Sequence, residues 1–172
     1  MRELILGGAR SGKSALAEQR AGQSGLAVTY IATAEAGDGE MAARIAHHRL
    51  RRPAEWQLVE EPLQLAQVLA EHAAPDRCLV VDCLTLWLTN MLADVAADEA
   101  RFSAERAALL EALPQLPGRV ILVSNEVGLG IVPLGALTRR FCDESGRLHQ
   151  AVAALCDRVT FVTAGLPMRL KG

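Results

Sequence analysis

The sequence predicts an α/β fold, with a mostly parallel central sheet flanked by helices and a phosphate-binding loop near its start. Short apolar runs alternate with longer segments of helical period, which is the pattern of a parallel sheet covered by helices. A glycine-rich Gly-Lys-Ser motif directly follows the first apolar run and precedes a helical segment. The chain has 172 residues, of which 51% are hydrophobic and 22% charged. We therefore expect residues 1–172 to form a single domain.

The predicted elements alternate along the chain. Apolar runs predict strands at Glu3–Leu6, Val28–Ala32, Trp56–Val59, Cys78–Val81, Arg119–Ser124 and Arg158–Val162. Helical periodicity predicts helices at Lys13–Ala21, Gly39–Leu50, Leu63–His72, Thr85–Leu113 with a break near Asp94–Asp98, and Ala136–Leu155.

Composition excludes several classes of partner. The net charge of -2 lacks the basic excess that binding a polyanion requires, and an aromatic content of 3% offers few stacking platforms, so we expect no nucleic acid partner. No apolar stretch approaches the ~18 residues of a membrane span. The first residues form a short strand-like run without the basic and longer apolar segments of a signal peptide. A cytoplasmic protein is the expectation.

The motif after the first strand matches the phosphate-loop pattern G-x-x-x-x-G-K-[ST] at every fixed position. Glycines let successive backbone N–H groups turn toward phosphate oxygens, and a lysine adds charge near the β- and γ-phosphates. The serine that follows the lysine is the expected Mg²⁺ ligand. The loop consists of Gly7, Gly8, Ala9, Arg10, Ser11, Gly12, Lys13 and Ser14.

Polar residues follow two later strands. Asp82 comes directly after an apolar run, where a carboxylate is costly to bury unless it meets a cation, so it is predicted to help hold the magnesium ion. Ser124, Asn125 and Glu126 stand at the end of the next long strand. This second group fits either a binding role at the carboxyl edge of the sheet or a loop with capping side chains.

The segment around His47 and His48 is unusual for a nucleotide hydrolase. Helical spacing places Glu40, Arg44 and His48 in one row. On one interpretation these histidines are solvent-exposed surface residues beside a basic run. A second interpretation is that a neutral imidazole on this helix attacks a nucleotide α-phosphate and releases pyrophosphate.

Six separate blocks of the sequence stand in an order and spacing that coincidence does not explain. They are the loop Gly7–Ser14, Tyr30–Glu35, His48–Trp56, Val59–Pro62, Val81–Asn90 and Ser124–Pro133. Through these blocks, and across nearly its whole length, the chain resembles the bifunctional adenosylcobinamide kinase / adenosylcobinamide-phosphate guanylyltransferases of cobalamin biosynthesis.

The resemblance implies a RecA-like fold, a homotrimer and two reactions. In the first, ATP or GTP phosphorylates adenosylcobinamide. In the second, GMP from GTP passes through a covalent adduct on His48 to adenosylcobinamide phosphate, giving adenosylcobinamide-GDP. The resemblance implies a catalytic role for Lys13 and magnesium contacts for Ser14 and Asp82. It implies nucleotide contacts for the loop Gly7–Ser14 and for Thr33, Ala34, Glu35, Arg49, Leu50, Arg51, Arg52, Glu60 and Asp82. Direct or water-mediated contact of Asp82 with the metal stays open.

Two other functions fit parts of the pattern. A kinase with one activity would use the loop and leave the histidines on the surface. A GTP-dependent switch would need a guanine-recognition segment like N-K-x-D, which this sequence lacks. An apolar stretch, Leu129, Ile131, Val132 and Leu134, fits either a surface for a large hydrophobic ligand or a subunit interface.

Overall fold

The computed structural model of the protein describes residues 1–34, 53–93 and 99–172. Its strands are β1 Arg2–Gly7, β2 Ala27–Ala32, β3 Gln57–Glu60, β4 Arg77–Asp82, β5 Arg119–Asn125, β6 Arg158–Thr163 and β7 Leu166–Lys171. Its helices are α1 Lys13–Gly22, α2 Leu65–His72, α3 Leu84–Ala93, α4 Glu99–Ala112 and α5 Ala136–Leu155, with a 3₁₀ turn at Leu113–Gln115. The helix predicted at Gly39–Leu50 and the break near Asp94–Asp98 lie outside the described residues.

All seven described strands belong to one sheet, in the order β3-β2-β4-β5-β1-β6-β7. Neighbouring strands from β3 to β6 pair in parallel, and β7 alone pairs antiparallel, with β6. The α/β class with a mostly parallel sheet is therefore confirmed. No helix in the described ranges is long and apolar enough to cross a bilayer.

Alternation along the strands divides the core between the two faces of the sheet. On β1, Leu4 and Leu6 belong to one buried cluster, while Ile5 belongs to the other. Helix α1 contributes Ala17 and Ala21 to the cluster that contains Ile5. These alanines are four residues apart, so they lie on one side of the helix and let it approach the sheet closely. The other described helices supply the remaining cluster.

Most observed elements differ from the predicted ones by a residue at one or both ends, and three differences have a structural reason: those at β3, at the start of α2 and at β7. Strand β3 lies one residue later than predicted, because a turn closed by the Trp56 N–H donating to the Pro53 carbonyl precedes it. Helix α2 begins at Leu65 because the Glu61 carboxylate accepts the N–H groups of Leu63 and Gln64, both at 2.8 Å, and holds them in a turn.

Strand β7 was not predicted. It contains Pro167, which argues against a strand in a sequence pattern, and its residues are all exposed. A proline is tolerated at this position because β7 is an edge strand. Ala164 and Gly165, both with positive φ, form the tight turn that joins it to β6.

Parallel pairing brings the carboxyl ends of several strands to one edge of the sheet. Gly7 at the end of β1 pairs with Asn125 at the end of β5, and Asp82 at the end of β4 pairs with Val123 of β5. In open α/β sheets, ligands bind at this edge.

Candidate active site

The phosphate loop connects β1 to α1 and depends on glycines at both ends. A Cβ atom on Gly7 would lie 2.2 Å from the carbonyl oxygen of Val162 on β6, so no side chain fits there. Gly12 has a φ of 101° and precedes the first helical residue, Lys13. The N–H of Gly165 donates to the carbonyl of Ser11 at 2.9 Å, which attaches the middle of the loop to the turn between β6 and β7.

Lys13 lies inside the loop. Its side chain is buried, and Nζ donates to the carbonyl of Gly8 at 2.6 Å and to Oγ of Ser11 at 3.4 Å. Burial lowers the pKa of Lys13, and the nearby Asp82 carboxylate opposes that shift. A partly desolvated ammonium group among backbone amides binds phosphate more strongly than an exposed lysine, because fewer of its interactions are shared with water.

Asp82 ends β4 with a half-buried side chain. Its Oδ2 accepts a hydrogen bond of 2.6 Å from the hydroxyl of Tyr30 on β2. Ser14 lies in the first turn of α1 and is also half-buried. Within the described ranges no group of three or more His, Cys, Asp or Glu side chains could hold a metal ion. One hydroxyl and one carboxylate fit magnesium, which commonly takes one or two carboxylates together with substrate phosphates and water.

Thr33 joins the ends of β2 and β4. Its hydroxyl donates to the Cys83 carbonyl at 2.7 Å and accepts from the Cys83 N–H at 2.9 Å. Asn90 on α3 donates through Nδ2 to the Thr33 carbonyl at 2.8 Å. Because Thr33 is fully buried, these contacts hold the edge of the sheet in shape. Its predicted contact with nucleotide, and that of its half-buried neighbour Ala34, stay predictions.

The remaining predicted site residues are Glu60 and a second group around His48. Glu60 ends the edge strand β3, and β2, β4 and β5 separate that strand from β1. Three strands therefore separate Glu60 from the strand that leads into the phosphate loop. The second group lies outside the described residues and consists of Glu35, His48, Arg49, Leu50, Arg51 and Arg52.

Sequence reasoning missed two side chains that contact Ser124 near the end of β5. Thr85 on α3 lies 3.2 Å from Ser124, measured between hydroxyl oxygens, and His149 on α5 places Nε2 2.7 Å from Ser124 Oγ. A signal for His149 was present, because it lies on the helical stripe that also contains the buried residues Ser145, Leu148 and Val152. A histidine on such a stripe points into the core.

A sequence profile described as cobinamide kinase / cobinamide phosphate guanyltransferase matches residues 3–170 of the chain. The chain belongs to this family. The resemblance drawn from the motifs implied the same two activities that the family description names. The prediction of an enzyme with kinase and guanyltransferase activities is therefore confirmed. A kinase with a single activity is not favoured.

Relatives of the cobinamide kinase / guanyltransferase family match along almost their whole length. The bifunctional adenosylcobalamin biosynthesis protein CobP of Pseudomonas aeruginosa is 67% identical over 172 residues, which cover 100% of this chain and 98% of the relative. The bifunctional adenosylcobalamin biosynthesis proteins CobU of Escherichia coli and Salmonella typhimurium are 40% and 41% identical, with 98% of each chain covered.

Solved structures that resemble this family member share its fold at low identity. The RadB recombinase is 16% identical with a TM-score of 0.51, covering 93% of this chain and 73% of its own. A protein of Pyrococcus horikoshii OT3 is 8% identical with a TM-score of 0.59, covering 99% and 86%. At such identities the likeness concerns the fold alone, and it confirms the predicted RecA-like arrangement.

Proposed function

We propose that this chain phosphorylates the hydroxyl on the aminopropanol arm of adenosylcobinamide, using ATP or GTP, and then transfers GMP from GTP onto that phosphate. The products of the second reaction are adenosylcobinamide-GDP and pyrophosphate. Family membership and the names of the relatives support this pair of reactions. The structural observation that carries the proposal is the buried Lys13 ammonium group inside a glycine-dependent phosphate loop.

One phosphate site serves both reactions in this proposal. In the kinase reaction the loop binds the triphosphate tail, and Lys13 stabilises charge that develops around the γ-phosphate. In guanylyl transfer the same groups bind the β- and γ-phosphates, which depart as pyrophosphate. Both transition states build negative charge on phosphate oxygens, so a preorganised cation and backbone N–H groups lower both barriers.

Magnesium would be held by Ser14 and Asp82. When bound there, the metal would neutralise part of the negative charge on the phosphates. The protein's own contribution is the position of the two ligands. Ser14 is fixed by the first turn of α1, and the Tyr30 hydroxyl restrains Oδ2 of Asp82.

Guanylyl transfer proceeds through His48 in this proposal. A neutral imidazole nitrogen attacks the α-phosphorus of GTP, the bond to the β-phosphate oxygen breaks, and pyrophosphate leaves. An oxygen of adenosylcobinamide phosphate then attacks the same phosphorus, and His48 departs. The residues proposed to bind the nucleotide are the loop Gly7–Ser14 and Thr33, Ala34, Glu35, Arg49, Leu50, Arg51, Arg52, Glu60 and Asp82.

We further propose that residues 1–172 act as one domain in the cytoplasm and assemble as a homotrimer. The exposed apolar residues Leu129, Ile131, Val132 and Leu134 support an additional contact surface, because monomers rarely expose such patches without a role. Light scattering coupled to size-exclusion chromatography tests the oligomeric state.

A two-part assay tests the proposed reactions. In the first part the protein is incubated with adenosylcobinamide and either ATP or GTP, and the phosphorylated corrinoid is measured. In the second, adenosylcobinamide phosphate and GTP are supplied, and adenosylcobinamide-GDP and pyrophosphate are measured. Lys13→Met is expected to lower the rates of both reactions by about 100-fold or more, because both need its charge. Failure of the wild-type protein in both parts would overturn the proposed function.

A further inference from the structure

A chain of polar side chains runs from the protein interior to the carboxyl edge of the sheet. It begins at Thr85 and continues through Ser124 to Nε2 of His149. Nδ1 of His149 lies 3.8 Å from Oε2 of Glu126. The first three side chains are buried, whereas Glu126 is half-buried, with 22% of its side chain exposed. This series of polar side chains thus ends on the Glu126 carboxylate, which solvent or a ligand can reach.

The contacts of His149 determine where its proton lies. Nδ1 faces a carboxylate, so the favourable arrangement places N–H at Nδ1. Burial lowers the pKa of His149, although the charge of Glu126 opposes the shift, and the neutral ring carries one N–H. Nε2 then accepts a hydrogen bond from the Ser124 hydroxyl. The Ser124 hydroxyl, which can donate or accept, is thus compatible with the tautomer that presents Nδ1–H to Glu126.

Glu126 lies beside the start of the phosphate loop. Its backbone N–H donates to the carbonyl of Gly7 at 2.9 Å. Its Oε1 accepts the N–H of Gly128 at 2.6 Å, so one carboxylate oxygen is bound to the backbone of its own loop. Directly beyond this loop the chain exposes Leu129 and Ile131, at 81% and 98%. Glu126 thus lies beside the start of the phosphate loop and a few residues before an exposed apolar stretch.

We propose that Glu126 is the general base of the kinase reaction and that His149 is the positioning residue that holds it. This inference rests on the proposed function. The substrate hydroxyl oxygen attacks the γ-phosphorus, the bond to the β-phosphate oxygen breaks, and nucleoside diphosphate leaves. The hydroxyl proton passes to the Glu126 carboxylate and then to water.

The two reactions differ in their need for a base. The kinase acceptor is an alcohol, which must lose a proton as the new bond to phosphorus forms. The acceptor of guanylyl transfer is a phosphate group that is already ionised at neutral pH and loses no proton. Glu126 is therefore required for the first reaction and dispensable for the second, which separates this role from a shared role in nucleotide or metal binding.

Glu126→Gln tests the base, with kcat and KM measured for each reaction. The substrates are adenosylcobinamide with ATP or GTP, and adenosylcobinamide phosphate with GTP. Kinase kcat is expected to fall about 100-fold or more, as for loss of a general base, with KM nearly unchanged. Guanylyl transfer is expected to stay within about 3-fold of wild type. Glu71→Gln is the matched control, since Glu71 is exposed on α2 and accepts from Gln67.

Two variants of His149 test its positioning role. His149→Leu removes the ring nitrogen that faces Glu126 at 3.8 Å and is expected to lower kinase kcat about 10-fold without a matching change in guanylyl transfer. His149→Asn carries an amide N–H near the position of Nδ1 and is expected to restore most of that loss. Thermal unfolding of both variants measures any loss of folded protein, so that kcat is expressed per folded enzyme.

The outcomes separate this inference from the proposed function. A wild-type protein inactive in both reactions would overturn the proposed function and this inference with it. With an active wild type, equal losses of both reactions in Glu126→Gln would overturn the inference alone, because they indicate a shared binding role. An unchanged kinase kcat in Glu126→Gln or in His149→Leu would do the same.

Discussion

The hydroxyl of Tyr30 donates a hydrogen bond of 2.6 Å to Oδ2 of Asp82, at the sheet edge where the phosphate loop lies. Tyr30 is buried on β2, and Asp82 ends the neighbouring strand β4. The bond restrains the carboxylate proposed to hold magnesium, since it fixes one oxygen and limits rotation of the group. A buried phenol in this position thus connects the packing of β2 to the chemistry of the site.

Removing that hydroxyl is expected to weaken the proposed magnesium site without abolishing it. Tyr30→Phe keeps the ring and its packing but leaves Asp82 free to rotate. A hydrogen bond of this kind contributes about 1 kcal/mol, so we expect kcat/KM of both reactions to fall about 5-fold at limiting magnesium. Titration of activity with magnesium measures the effect, and saturating magnesium should restore most of it. An unchanged magnesium dependence would argue against a role for Tyr30 in the metal site.

Stability is expected to depend strongly on Glu3. Its side chain is fully buried on β1 and forms ion pairs with Arg20 of α1 and with Arg119 of β5, the latter at 3.2 Å. Glu3→Gln leaves two largely buried guanidinium groups without their counter-charge. Removing one partner of a buried ion pair costs about 3 kcal/mol or more, and we expect a loss of that order in the free energy of unfolding by urea.

The pair between Glu99 and Arg140 provides the matched control for this substitution. Both side chains are exposed, at 73% and 45%, so solvent screens their interaction. Glu99→Gln is expected to change the free energy of unfolding by less than about 0.5 kcal/mol. Equal effects at Glu3 and Glu99 would show that burial of Glu3 adds nothing to its ion pairs.

Burial of His149 predicts a loss of stability toward acid pH. Its pKa is lowered below the ordinary 6.5 chiefly by desolvation. As pH falls through that value the unfolded chain takes up a proton at His149 while the folded protein does not. The unfolded state then binds more protons, so the free energy of unfolding decreases with decreasing pH. His149→Asn lacks this contribution, and the advantage of wild type over the variant should be smaller at about pH 5.5 than at about pH 8.

Denaturant unfolding of both proteins across this pH range measures the difference. The other histidines are present in both chains, so their titration cancels in the comparison. A wild-type advantage that grows as pH falls would contradict the prediction, because it requires His149 to gain a proton more readily in the folded state.

Local pattern was sufficient to predict the phosphate loop, the position of Asp82 at the end of a strand and the six strands that pair in parallel among the described residues. The loop needs glycines and Gly-Lys-Ser in fixed order between a strand and a helix, and that context is contained in consecutive residues. His149 was missed because its partner Ser124 is 25 residues away, and only the packing of α5 on the sheet brings them together. Glu3 was taken as an ordinary strand residue for the same reason, since Arg20 and Arg119 reach it from other elements.

Substitution of His48 is expected to abolish guanylyl transfer and leave the kinase reaction. In the proposed reaction the imidazole attacks the α-phosphorus in its neutral form and gives a phosphoramidate, and the ordinary histidine pKa of about 6.5 makes that form abundant near neutral pH. Incubation with GTP labelled at the α-phosphate should therefore give an acid-labile labelled protein that His48→Ala does not form. The neighbouring histidine supplies the matched control, since His47→Ala should retain the label. Both variants should phosphorylate adenosylcobinamide at rates within about 3-fold of wild type, because the kinase step does not pass through the adduct. Label that survives in His48→Ala and disappears in His47→Ala would assign the adduct to His47 instead, and label that survives in both would place it on another residue.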